Sequence, residues 1–113
     1  MDLTGKWSFK EDFSFGKDEG EAVLVQAGTR VYGILDFTER IEDETPFKVK
    51  CHLEGTYEED TVKLDVVDFE IMSSQQIEYF PESREGVINA NGQIVGSSED
   101  EQGVCGVFVM EKV

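Results

Sequence analysis

This chain of 113 residues has few of the residues from which proteins build reactive centres. It contains one histidine and two cysteines. Cys51 and Cys105 lie too far apart in the sequence for the short spacing of a zinc site or a redox pair, so we expect two free, buried thiols rather than a disulfide. The single histidine, His52, has no second histidine or cysteine cluster with which to hold a metal ion. We therefore predict no metal centre and no cofactor.

Recognisable catalytic motifs are missing as well. The sequence has no Gly-x-Ser-x-Gly nucleophile turn and no glycine-rich phosphate loop. Carboxylates are abundant, but a catalytic acid needs a shielded position that tunes its pKa, and abundance alone does not supply one. The acidic loops also lack the alternating ligands and central glycine of a calcium loop. We predict that the protein is not an enzyme.

Positive charge is scarce, since 10 Lys and Arg stand against 25 Asp and Glu and give a formal net charge of −15. Such a field repels phosphate backbones and anionic membrane surfaces, so we expect neither a nucleic-acid nor a membrane partner. No apolar run approaches the ~20 residues of a membrane span, and no basic segment precedes an apolar stretch at the amino terminus. We expect a cytoplasmic protein as the chain stands, or a secreted or periplasmic one if a signal peptide has been removed.

What the chain does contain is a nearly continuous series of short alternations of apolar and polar residues. In the first of them Trp7, Phe9, Phe13 and Phe15 share one face, which is typical of a half-buried strand. Glu11 falls on that aromatic face, and it either points into the interior or is turned to solvent by a bend in the strand. The length and the hydrophobic content of 39% indicate one globular domain over residues 1–113.

Glycine marks two tight hairpins. Gly28 follows Ala27, and Gly92 follows Asn91, and in each turn glycine supplies the positive φ that a two-residue loop requires. The predicted strands on either side of these turns are Ala22–Gln26 with Arg30–Phe37 and Gly86–Ala90 with Gln93–Ser97.

A third hairpin surrounds an acidic turn at residues 57–60, with Glu58 and Glu59 expected at its tip. Apolar residues then face apolar residues, and opposite charges meet across the strands, if Leu53 lies opposite Leu64. The same register places His52 on the outer face opposite Asp65.

Two further features complete the predicted meander. The phase of the alternation shifts at Val66-Val67, which predicts a β-bulge, and Ile77–Pro81 is a short connector whose aromatics could close one end of a barrel. With a last strand at Val104–Lys112 the chain has about eight strands, all joined by short connections. Such a meander would expose long edges unless it closed on itself. We predict an all-β fold, a single up-and-down antiparallel β-barrel of about eight strands.

The opening residues Leu3-Thr4-Gly5-Lys6-Trp7 resemble the first strand of the calycin group, which comprises lipocalins, fatty-acid binders and avidins. The resemblance implies that Trp7 packs across the closed end of the barrel, covered by a cationic residue of the last strand, here Lys112. In avidins the following segment supplies an Asn and a Ser to biotin. Phe9 and Phe13 occupy those positions, so a biotin site is not expected.

A barrel of this kind predicts a ligand site in its interior, where apolar walls combine with a few polar anchors. Glu11 is the first candidate anchor, because it alternates with aromatic residues. The complete set of predicted ligand-binding residues is Trp7, Phe9, Glu11, Gln26, Phe37, Asn89 and Phe108.

Two functions follow from the sequence. The first is non-catalytic binding of a small apolar molecule in a lipocalin-like barrel. The alternative is a barrel filled by its own side chains, which would act as a protein-interaction or inhibitor module through its acidic loops or through a homodimer face. Val107 and Val109 alternate with Phe108 on the last strand and would supply that face.

Overall fold

The computed structural model describes residues 1–72 and 77–113 and contains eight β-strands. No helix long and apolar enough to cross a membrane occurs among these residues. In chain order the strands are β1 Gly5–Phe13, β2 Gly16–Ala27, β3 Arg30–Ile41, β4 Phe47–Glu58, β5 Thr61–Ile71, β6 Glu82–Ile88, β7 Ile94–Asp100 and β8 Cys105–Lys112.

Each strand pairs antiparallel with the next, and β8 returns to pair with β1, so the sheet forms a closed up-and-down barrel. The closing register sets Trp7 opposite Lys112 and Phe13 opposite Gly106. Closure satisfies the backbone hydrogen-bonding groups that a strand edge would leave unpaired. The predicted fold class is confirmed.

The hairpin turns show how local sequence shapes the barrel. Gly28 and Gly92 both have positive φ, as predicted. The β4–β5 turn is formed instead by Glu59 and Asp60, with φ of 50° and 64°. Leu53 consequently pairs with Val66, and the predicted register was wrong by two residues. A shift of two keeps every side chain on its own face, so the alternation of the sequence does not distinguish the two registers.

The predicted β-bulge is confirmed. Leu53 pairs with Val66 and His52 pairs with Asp68, so Val67 has no partner on β4. His52 is exposed on the outer face as expected, but it lies opposite Asp68 rather than Asp65. The extra residue lets β5 bend while Val66 and Ile71, on either side of the bulge, pack against the core.

One end of the barrel, which we call the tryptophan end, is closed by the residues that resemble the calycin motif. Trp7 is fully buried, and its Nε1 donates a hydrogen bond of 2.8 Å to the Leu3 carbonyl oxygen. The Nζ of Lys112 lies 5.9 Å from the centre of the Trp7 ring and donates to the Asp2 carbonyl oxygen. The predicted cover of the indole by Lys112 is confirmed.

The opposite end, which we call the ionic end, is partly closed by the connector that precedes β6. Tyr79 is buried there, and its ring centre lies 6.1 Å from that of Phe37 and 4.9 Å from that of Phe69. The predicted closing role of this connector is confirmed for Tyr79.

Two sequence predictions about burial need correction. Both cysteines are free, but only Cys51 is buried, whereas Cys105 is exposed. Cys105 begins β8, where the strand emerges from the β7–β8 loop. Phe15 is 44% exposed because β1 ends at Phe13 and Phe15 lies in the turn to β2.

Candidate functional site

Near the ionic end the interior of the barrel changes from apolar to charged. Glu11 lies two residues beyond Phe9 on β1 and therefore faces the same interior. Its cross-strand partner on β2 is Asp18, and the partner of Asp18 on β3 is Glu39. Three neighbouring strands thus present three carboxyl groups side by side to the interior. Glu11 is 2% exposed and Asp18 is 0% exposed.

Arg84 of β6 reaches the same region. Its Nε donates to Glu11 Oε2 at 2.8 Å and its Nη2 donates to Glu11 Oε1 at 3.0 Å, a two-pronged contact that fixes both groups. Nη2 also donates to Glu82 Oε2 at 3.2 Å, and the guanidinium carbon lies 5.0 Å from the centre of the Phe9 ring. The alternative that a bend turns Glu11 to solvent is wrong.

Arg84 and Glu82 were not predicted from the sequence. The strand was expected to begin at Gly86, whereas β6 begins at Glu82. Arg84 has the same phase as Gly86, and both are buried. Extending the alternation backwards from the Asn91-Gly92 turn would have placed Arg84 inside the barrel.

Tyr79 and Cys51 complete this side of the cluster. The Tyr79 hydroxyl donates to Glu82 Oε2 at 2.6 Å and lies 3.6 Å from the Cys51 sulfur. Burial raises the pKa of the Cys51 thiol to about 11, so it stays protonated at neutral pH. Burial, followed by the charge of Glu82, raises the pKa of Tyr79 as well. A thiol held in this form is a poor nucleophile.

We call Glu11, Asp18, Glu39, Glu82 and Arg84 the ionic cluster. It contains four carboxyl groups and one guanidinium, so the single positive charge would not balance the negative charges if all four carboxyl groups were ionised. Within the described residues neither oxygen of Asp18 has a hydrogen-bond partner, and Arg84 Nη1 has none either. Unpartnered polar atoms in a protein interior are uncommon and costly.

Protonation relieves part of this imbalance. Burial raises the pKa of Asp18 to about 10, with further contributions from the charges of Glu39 and Glu11. Burial also raises the pKa of Glu39 to about 7, helped by the charges of Glu82 and Glu11. Asp18 is therefore protonated at neutral pH, and Glu39 changes its charge in the physiological range.

A pocket of about 170 Å³ opens above the ionic cluster at the ionic end. We call it the end pocket. Its acidic lining residues are Glu11, Glu39, Glu78, Glu82 and Asp100. Its apolar lining residues are Phe13, Phe15, Ile41, Tyr79, Phe80 and Val104. An adjoining hollow of about 480 Å³ shares Glu39, Ile41 and Glu78 with it.

The predicted ligand-binding residues separate into three groups in the structure. Glu11 is the one that lines the end pocket. The four aromatic residues are buried in the core, with the Phe9 ring centre 6.0 Å from that of Phe37 and 6.5 Å from that of Phe108, and with Trp7 at the tryptophan end.

The remaining two lie at the tryptophan end and bond to the backbone. Gln26 Oε1 accepts from the Leu3 N–H at 2.9 Å, and Gln26 Nε2 donates to the Gly28 carbonyl oxygen. Asn89 Oδ1 accepts from the N–H groups of Asn91 and Gln93, both at 3.0 Å, and so shapes the β6–β7 turn.

The ionic cluster also has the composition of a cation site, whereas the sequence predicted no metal centre. One oxygen each of Glu11, Asp18 and Glu82 lie within 4.8 Å of one another. Arg84 already binds Glu11 and Glu82. Chemically, the arrangement can hold a positive charge between oriented carboxylates, and it can give up or take a proton at Glu39.

Comparison with known proteins extends the description of the fold. No protein-family model matches the chain, and no curated protein sequence matches it. A redesigned β-barrel, mFAP1, solved bound to DFHBI, has a TM-score of 0.71 and 12% identity over 97% of this chain and 94% of that chain. A second redesigned barrel, mFAP0, also bound to DFHBI, gives 0.59 and 14%, over 97% of this chain and 98% of the other.

A third barrel, a de novo designed fluorescence-activating one, is similar to a comparable degree, with a TM-score of 0.58 and 11% identity over 98% of this chain and 94% of that chain. At such identities the likeness shows the fold alone. Membership of the calycin group stays a prediction. The chain folds as a closed eight-stranded β-barrel of the same architecture as these designed barrels.

Proposed function

We propose that the protein is a calycin-like barrel that binds a small molecule in the end pocket without chemical conversion. The observation that carries the proposal is a pocket with an apolar rim and a floor of oriented charged groups, the combination typical of small-molecule sites. Two of the similar designed barrels were solved with DFHBI, and the shared architecture supports the proposal. The protonated Cys51 thiol supports a non-catalytic role.

The size of the pocket limits the ligand. Ligand pockets commonly measure about 300–1,000 Å³, and the end pocket measures about 170 Å³. The aromatic core beneath it is closely packed, so the ligand does not reach Trp7. We expect a ligand of few atoms, or one that extends over Glu39 and Ile41 into the adjoining hollow.

Native mass spectrometry of freshly purified protein, followed by the same sample denatured, tests the proposal. We expect a mass excess that disappears on denaturation. A pocket-blocking variant, Gln102→Trp, should lose this excess because residue 102 lines the end pocket. Glu101→Trp is the matched control, since its neighbouring position is equally exposed but does not line the pocket.

A bare mass for the wild-type protein, together with no binding to the isolated protein in a fragment screen, would contradict the proposal. An excess that Gln102→Trp retains would place the ligand elsewhere on the barrel.

A second candidate function, self-association, is favoured by a row of outward-facing valines. Val87, Val95 and Val109 are consecutive cross-strand partners on β6, β7 and β8, and Val107 beside them is 63% exposed. Apolar side chains grouped on a surface are typical of interaction sites. Analytical ultracentrifugation should show a dimer that Val107→Lys dissociates. A monomer at the highest soluble concentration would remove this candidate.

A further inference from the structure

The geometry of the end pocket points to a small organic cation, a protonated amine that carries an apolar group, as its ligand. The inference rests on the proposed function, because it names the class of molecule for the same pocket.

The charge of the lining is the first argument. Five carboxyl groups line the end pocket, and none of its described lining residues is a lysine, arginine or histidine. Arg84 is fully buried, and its Nε and Nη2 bind Glu11 and Glu82, while its Nη1 has no partner among the described residues. A cavity with walls of low dielectric strengthens the field of such charges. An anionic ligand would be repelled, and a neutral ligand would leave the negative charge of the lining uncompensated.

Asp18 supplies an independent second argument. Its side chain is fully buried, neither oxygen has a partner among the described residues, and one oxygen lies within 4.8 Å of oxygens of both Glu11 and Glu82. Asp18 is protonated at neutral pH, so its carbonyl oxygen remains available as an acceptor beside Glu11 and Glu82. An ammonium group has up to three N–H donors, enough to contact both Glu39 and Glu82, which line the pocket.

The apolar rim is the third argument, and it separates an organic cation from a metal ion. Phe13 and Phe15 meet edge to face with ring centres 5.1 Å apart, and Phe80 also lines the pocket. Aromatic rings stabilise ammonium groups and the carbon atoms attached to them. A hard metal ion would instead require six or more oxygen ligands. Two of the carboxylates, Glu11 and Glu82, are already paired with the Arg84 guanidinium.

Isothermal titration calorimetry with three matched probes tests the inference: 2-phenylethylamine, 2-phenylethanol and 3-phenylpropionate. They share an aryl group and differ in the charge of the polar end. We expect the amine to bind at least about tenfold more tightly than the alcohol, and the carboxylate not to bind. Amide chemical shifts should report contact at Ser98 and Gly106, which line the pocket.

Proton linkage adds a readout that nonspecific binding would not give. Glu39 faces Asp18 of β2, Glu11 of β1, and Glu82 and Arg84 of β6. Its pKa lies at about 7 in the free protein, and a nearby cation favours the ionised form. Binding of the amine at pH 7 should therefore release protons, and its affinity should rise between pH 6 and pH 8.

Glu39→Gln should weaken amine binding by about tenfold and abolish most of the proton release. Glu19→Gln is the control, because it removes the same charge from an exposed position on β2 and should leave both unchanged. Amide spectra with the dispersion of the wild-type protein would show that both variants fold.

Equal affinity for the amine and the alcohol would overturn the cation inference and leave the proposed function standing. So would a carried ligand in native mass spectrometry that is neutral or anionic. Tight binding of Ca²⁺, Mg²⁺ or Zn²⁺ alone, with loss of amine binding in their presence, would also overturn it in favour of a metal site. Failure of every probe together with a bare native mass would count against both proposals.

Discussion

The two ends of this barrel are built by the same strands with opposite chemistry. On β1, Trp7 closes the tryptophan end among apolar neighbours, and Glu11 faces the same interior near the ionic end. At the tryptophan end the indole N–H is bonded to the Leu3 carbonyl oxygen, and within the described part of the chain no buried side-chain polar atom there lacks a partner. The ionic end leaves both Asp18 oxygens and Arg84 Nη1 without partners among the described residues.

The difference separates an end that stabilises the fold from an end that costs stability. Apolar burial stabilises the fold in proportion to the area removed from water, and the tryptophan end follows that rule. Buried ion pairs contribute little net stability and are costly when incomplete, so the ionic end weakens the fold. Locations where a sequence departs from the rules of stable packing are expected at functional sites. The following predictions test this division.

The largest expected effect is the loss of Arg84. Arg84→Met leaves Glu11 buried without its counter-charge and should lower the free energy of unfolding by about 3–5 kcal/mol, measured by urea denaturation at pH 7. Lys63→Met is the control, because the Lys63–Glu85 pair is exposed and such pairs contribute about 0–1 kcal/mol. A loss below about 1 kcal/mol for Arg84→Met would show that Glu11 does not depend on Arg84 for its charge balance.

The next effect is an inverted pH dependence. Asp18 and Glu39 have raised pKa values in the folded protein, about 10 and about 7, so the folded state holds protons that the unfolded state has released. Stability must then fall as pH rises from 5, by about 1.4 kcal/mol per pH unit for each retained proton. Glu39 contributes to this fall up to about pH 7 and Asp18 up to about pH 10.

Asp18→Asn isolates the contribution of Asp18. It mimics the protonated carboxyl at every pH, so the decrease in the free energy of unfolding between pH 7 and pH 9 should be smaller than in the wild-type protein. We expect the two decreases to differ by about 2–3 kcal/mol. Urea denaturation across this range measures it, and Asp65→Asn, at an exposed position on β5, is the control. Wild-type stability that is constant or rises over the range would contradict the burial of a protonated Asp18.

Trp7→Phe tests the opposite end. It removes the indole N–H that bonds to the Leu3 carbonyl oxygen and leaves a small void, so we expect a loss of about 1–2 kcal/mol. Tyr32→Phe, at an exposed position, should change stability by less than about 0.5 kcal/mol. The pH dependence of Trp7→Phe should match that of the wild-type protein, because its site is distant from the titrating pair.

The smallest effect concerns the cover over the indole. Lys112→Met keeps an apolar stem but removes the ammonium 5.9 Å from the Trp7 ring, so we expect a loss of about 0.5–1 kcal/mol. Lys10→Met, at an exposed position on β1, is the comparison variant. Equal stability of the two variants would show that the stem of Lys112, rather than its charge, covers the ring.

Local sequence was sufficient for the elements of the fold. The period of two places Trp7, Phe9 and Glu11 on one face of β1, and the glycine turns at Gly28 and Gly92 define two hairpins. These features depend on neighbouring residues, whose geometry the backbone fixes. Closure also followed, because eight short-linked strands would otherwise expose an edge.

The site depended on contacts that no local pattern contains. Arg84 and Glu11 are 73 positions apart in the sequence, and they meet because the barrel brings β6 and β1 to face each other across its interior. The three neighbouring carboxyl groups of Glu11, Asp18 and Glu39 require the β1–β2 and β2–β3 registers. Alternation assigns the face of a side chain but leaves registers two residues apart equivalent, as the β4–β5 hairpin shows.

By itself, then, the sequence determined which residues of a strand share a face, through the alternation, and where two hairpins turn, through glycine. Only the tertiary structure decided which of them meet. Burial next to other carboxyl groups changes the charge of Asp18 and Glu39, and that burial exists only once the barrel has closed. The electrostatic character of the end pocket is therefore a property of the folded barrel, because desolvation acts on residues that distant strands bring together.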